Sequence, residues 1–115
     1  MDAWPDSWAG LPEDIPVGEG LVAELRLFVA HLEQRGLAPK TIRGHLINLW
    51  VIGGEIIREV NEDPRQRKIS ARKLILKAIE GGEAPLANGV SESEQVAIDA
   101  TARKLLRFMM AHGAK

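Results

Sequence analysis

The chain has no cysteine and no tyrosine. Without cysteine there is no disulfide framework and no thiolate metal site. Such a chain suits a reducing compartment, and a cytoplasmic location is expected. The two absences also remove two covalent nucleophiles. Long apolar runs are missing as well. The longest, Leu46 to Gly54, is under half of what a helix needs to span a bilayer, so no membrane partner is expected. Residues 1–20 carry no lysine or arginine, whereas a signal peptide opens on positive charge.

Those residues do carry Asp2, Asp6, Glu13, Asp14 and Glu19. The formal net charge is −1; setting these acids aside leaves 15 bases against 11 acids, a net of +4. Arg65, Arg67, Lys68, Arg72, Lys73 and Lys77 follow one another with no acid between them. An acidic tail beside a basic body points to nucleic acid. A solvated surface with an unrelated tail is the plainer alternative.

At 115 residues the chain fits one domain. Pro5, Pro12 and Pro16, with Gly10 and Gly18, predict an irregular arm over residues 1–18. Trp4, Trp8 and Leu11 give that arm apolar groups that can dock on the domain formed by residues 19–115.

Four helices are expected in that domain. The first runs from about Glu19 to Arg35: Leu21, Val22, Leu25, Phe28, Val29 and Leu32 recur at three and four residues. Gly36 sits where a helix C-cap takes a left-handed residue. The second starts near Pro39–Thr41, with proline tolerated in a first turn, and runs to about Val60. Its stripe is Ile42, Leu46, Leu49, Gly53, Ile56 and Val60. Ile47, Trp50, Val51, Ile52 and Ile57 cover its other faces, predicting a central, buried helix. Gly53–Gly54 either kinks it or admits a close neighbour.

Asn61 to Arg67, with Pro64, reads as a loop. The third helix covers roughly Ser70 to Glu80, with Leu74, Ile75, Ala78 and Ile79 inward, and Gly81–Gly82 ends it. Residues 83–90 form another loop. Ser91 and Glu94 make a capping box that opens the last helix. Its buried stripe is Ile98, Ala102, Leu105 and Met109, with Arg103, Lys104 and Arg107 opposite and Gly113 closing it. No strand pattern occurs, so the fold expected is all-α: a compact orthogonal bundle of four main helices.

Catalytic patterns are not found. His31, His45 and His112 are scattered, with no convergent ligand spacing for a metal. The Gly-Gly pairs belong to no phosphate loop. No carboxylate pair is placed in an apolar pocket by spacing. Neither an enzyme, nor a cofactor, nor a small-molecule substrate is expected.

The stretch LRLFVAHLEQRGLAPKTIRGHLINLWVIGGEIIREV, residues 25–60, is the most informative. Phe28 and Leu32, then Gly36-Leu37-Ala38-Pro39-Lys40-Thr41-Ile42, then the apolar spacing to Leu49, resemble the core-binding, SAM-like N-terminal domain of tyrosine recombinases, the phage integrases. Ala100 to His112, with Arg103-Lys104-Leu105-Leu106-Arg107-Phe108, resembles that domain's last helix. The likeness covers roughly residues 20–112. His45 stands where the family often has tyrosine. The family's catalytic set has no counterpart here, so strand cleavage by this chain alone is excluded.

The resemblance implies a clamp half on double-stranded DNA. It assigns DNA contact to Lys40, Thr41 and Arg43, and then to Arg103, Lys104 and Arg107. The basic run adds Arg67, Lys68, Arg72 and Lys73. A helix start favours phosphate through free N–H groups and its dipole. A cap for Thr41 and a solvated face for the bases are the structural alternatives. The competing function is a protein-interaction module, as a homodimer or with another protein. Trp50, Phe108 and Met110 would then mark its face, and Trp4 and Trp8 would serve as hooks. A further possibility is an acidic arm lying over the basic face.

Overall fold

Proline, glycine and serine mark several of the helix ends. The computed structural model describes residues 1–112. The five helices found there are α1 (Trp4–Trp8), α2 (Asp14–Gln34), α3 (Pro39–Glu62), α4 (Ala71–Ala78) and α5 (Glu92–His112). Short 3-10 turns at Pro64–Lys68 and Glu80–Gly82 flank α4. There is no strand among the described residues. The proposed closure of the last helix at Gly113 lies outside them.

The α2–α3 corner forms as the sequence predicts. Gly36 has φ +75°, and its N–H donates to the Glu33 carbonyl. The Leu37 N–H reaches back to the Leu32 carbonyl, which completes a Schellman motif. Ala38 is extended and Pro39 opens α3. At the other end, Ser91 Oγ accepts from the Glu94 N–H at 3.1 Å, and Glu94 accepts from the Ser91 N–H at 2.9 Å. These two bonds are the expected capping box.

The arm departs from expectation: residues 1–18 are largely helical. Pro5 lies in the first turn of α1 and Pro16 in the first turn of α2, where a missing N–H costs no helical bond. The prolines therefore start helices here. Gly18, inside α2, lets α1 sit close: a Cβ there would lie 3.0 Å from Pro5 Cα.

Trp8 fastens α1 to α3. A Cβ on Gly53 would collide with Cζ2 and Cη2 of the Trp8 ring. The glycine pair thus admits a neighbour, and α3 runs unbroken through it. Trp8 Nε1 donates to the Trp50 carbonyl at 3.0 Å, and Trp50 Nε1 donates to Ser7 Oγ at 2.9 Å. Trp4 rests 5.6 Å from Trp8, ring centre to ring centre. Both tryptophans pack against the chain's own core, so neither projects as a hook.

Asp14 fixes the start of α2. Its side chain is fully buried. Oδ2 accepts from the N–H groups of Gly10 and Leu11 and from Asn61 Nδ2, at 2.9, 3.0 and 3.1 Å. Oδ1 faces the Arg67 guanidinium at 3.4 Å, and Arg67 also donates to Asn61 Oδ1. Burial opposes the ionised carboxyl, but the bonds from Leu11, Gly10, Asn61 and Arg67 outweigh it and hold its pKa below the ordinary value. Asp2, in the same arm as Asp14, pairs with Arg26 of α2. The acids of residues 1–18 are therefore not a separate tail; two of them neutralise bases of the domain.

The core is aliphatic. Leu21, Leu25 and Leu32 of α2, Leu49, Ile52 and Ile57 of α3, Leu74 and Ile75 of α4, and Ile98 and Leu105 of α5 surround Phe28. Each such side chain contributes about 2 kcal/mol by leaving water. The predicted stripes of α2 and α5 face this core. The prediction for α3 needs correction: it is central but not buried all round, with Ile47 65% and Trp50 42% exposed. The radius of gyration is 13.4 Å, that of a compact domain of this length.

Candidate nucleic-acid interface

The start of α3 is bare. Ala38 makes no side-chain cap, and the first amide of the helix bound in turn fashion is that of Ile42, to the Ala38 carbonyl. Proline supplies no N–H, so those of Lys40 and Thr41 are the unsatisfied ones. Lys40, Thr41 and Arg43 are all exposed. Thr41 does not cap the helix. Arg43 lies about 200° round α3 from His45, and His45 faces α5.

His45 and Asn48 tie α3 to α5. His45 Nδ1 meets Thr101 Oγ1 at 2.8 Å, and Asn48 Nδ2 donates to Thr101 Oγ1 and to the Ala97 carbonyl at 2.9 and 3.2 Å. Burial first, and the Lys104 charge second, lower the His45 pKa below its ordinary value. A neutral His45 is the form that sits beside α5 at pH 7. Its partner Thr101 is fully buried.

Lys104 and Arg107 come together with Arg35 around one pocket of about 490 Å³, between the C-terminal halves of α2 and α5. Leu37 closes it on the side of the α2–α3 corner, three residues before Lys40. Arg35 was not among the residues expected from sequence. It lies four residues from His31 and seven from Phe28, a single helix face. Among the described residues, no carboxylate lies within ion-pair distance of Arg35, Lys40, Arg43, Lys104 or Arg107.

No known protein family, curated protein or solved structure matches the chain.

The remaining predicted contacts are divided. Arg67 is 22% exposed and turned inward to Asp14. It serves the fold, because an unpaired buried Asp14 would be costly. Arg72 donates to the Met109 carbonyl at 2.8 Å, tying α4 to the last described turn of α5. The stem of Arg103 crosses Gly82, where φ is +79° and a Cβ would be 2.9 Å from Arg103 Cγ. Lys68 and Lys73 are exposed beside α4. That side of the fold rests on the first half of α2, where Gly20 meets Ala71. The basic run is thus separate from the group at the α2–α3 corner.

Among the described residues, no cluster of histidine and carboxylate side chains is arranged to hold a metal ion. No helix there is long and apolar enough to cross a membrane.

Proposed function

We propose that this chain is a non-catalytic DNA-binding module, related in design to the core-binding, SAM-like domain of tyrosine recombinases. It grips the phosphate backbone of double-stranded DNA. The observation that carries the reading is the set Arg35, Lys104 and Arg107 around one pocket, with Lys40 beyond Leu37 and Arg43 on the outer side of α3, all exposed and without carboxylate partners among the described residues. Lys40 and Thr41 add the open amides of α3, which favour phosphate through the helix dipole.

Lys68 and Lys73 offer a second, separate basic patch beside α4. Arg67 and Arg72 support it from within. Phosphate contacts position a protein without reading sequence, so the expected binding is sequence-neutral and salt-dependent. A duplex of about 25 base pairs, titrated at several salt concentrations, tests it through the slope of affinity on salt. Lys40→Ala/Arg43→Ala and Lys104→Ala/Arg107→Ala should each lower affinity and flatten that slope.

A protein-interaction role is the second reading, favoured by apolar exposure. Ile47 and Trp50 share the outer side of α3 with Arg43, and Met110 on α5 is 67% exposed. Such groups suit a homodimer or another protein partner. Sedimentation across a concentration range, with Ile47→Asp as control, separates this reading from the first.

A further inference from the structure

The pocket between α2 and α5 has an unusual lining for a phosphate-binding face. Its cations are Arg35, Lys104 and Arg107, and no carboxylate lines it. Beside them the lining holds the rings of His31, Phe108 and His112. His31 and Phe108 stand 4.9 Å apart, ring centre to ring centre, and Phe108 and His112 stand 4.7 Å apart. His31 and His112, distant in sequence, come within 5.5 Å. These rings are half-buried or exposed at the pocket. A phosphate alone needs the cations and has no use for the rings.

The cations and the rings are ordered along the pocket. Arg35 and Leu37 line its end at the α2–α3 corner, and Lys104, Arg107, Phe108 and His112 follow one another along α5. An anion therefore belongs among Arg35, Lys104 and Arg107, and a neutral planar group belongs against the rings. The volume of about 490 Å³ is in the range of small-ligand sites.

We infer that this pocket takes one unpaired nucleotide, with its base against His31, Phe108 and His112 and its phosphate on Arg35, Lys104 and Arg107. Stacking of bases on aromatic side chains tolerates any base, because each has a π-face. The source is either a free nucleotide or the unpaired end of a DNA strand. The inference shares Lys104 and Arg107 with the proposed duplex contact, and it adds the rings, which duplex backbone binding does not use.

Adenosine monophosphate and inorganic phosphate, each titrated into the full chain and followed by NMR, test it. The monophosphate should shift the ring resonances of His31, Phe108 and His112, and inorganic phosphate should leave them in place. In parallel, a blunt duplex is compared with the same duplex carrying a short 5′ overhang. Tighter binding of the overhang by about tenfold, lost in Phe108→Leu, assigns the pocket to a DNA strand. Ring shifts with monophosphate and no overhang preference assign it to a free nucleotide.

Ring resonances unmoved by monophosphate, together with equal binding of blunt and overhanging DNA, overturn the inference and leave the duplex reading intact. Monophosphate binding with no blunt-duplex binding does the reverse. The wild-type titrations stand even if Phe108→Leu is poorly folded.

Discussion

Trp8 fills the space that a side chain at position 53 would occupy. This fit joins the first helix to the middle of the longest one, and it explains a glycine inside a helix. Gly53→Ala should therefore destabilise the protein, although alanine favours helix. Overpacking of this kind costs about 1–3 kcal/mol. The denaturant midpoint should fall and tryptophan emission should shift to the red as Trp8 leaves its notch. A stability gain in Gly53→Ala would show that Trp8 does not dock there.

The Asp14 network makes a second prediction. Asp14→Ala removes the acceptor of two backbone amides and strands Arg67, at a cost of about 3 kcal/mol. The wild-type carboxyl has a lowered pKa. Its stabilisation is thus full above the ordinary carboxylate value, about 4, and is lost as pH falls through the lowered one. Asp14→Asn should show less acid dependence than wild type in chemical denaturation below about pH 4. Parallel loss in both proteins would contradict the assignment.

Much of the fold was legible in the sequence because it is written in local signals. Gly36, Pro39, Ser91 and Glu94 act within a few residues of themselves, and each took its expected place. The stripes of α2 and α5 were legible for the same reason: periodicity states which face is buried. Residues 1–18 were not, because Pro5 and Pro16 read as breakers when their neighbours are unknown. Their position in first turns depends on where Asp14 finds Asn61 and Arg67, which are distant in the chain.

The candidate site was legible only as charge. Lys40, Arg43, Lys104 and Arg107 are named through the resemblance, and all four are exposed. Arg67 could not be separated from Lys68 by sequence, since only a tertiary partner turns one inward. The rings were missed because His31 and His112 gain meaning from packing of α2 on α5. The helical spacing of Lys104, Phe108 and His112 was a visible signal, adjacent to the buried stripe.

His45 supplies a third prediction. Its pKa is lowered by burial and, secondarily, by Lys104. The neutral ring therefore stabilises the fold fully above about pH 6.5, and that contribution declines as pH falls below it. Lys104→Gln removes one of the two causes. NMR titration should place His45 higher in the variant than in wild type, still below its ordinary value. An unchanged titration would mean that Lys104 does not face His45.

The most direct test of the DNA-binding account is fluorescence anisotropy of a duplex of about 25 base pairs at several salt concentrations. The account predicts binding that weakens steadily with salt. Lys40→Ala/Arg43→Ala and Lys104→Ala/Arg107→Ala should each weaken it further and flatten its salt slope, while Arg58→Ala, which sits beside Glu55, should leave it near wild type. No binding at low salt, or equal binding by all three variants and wild type, would contradict the account.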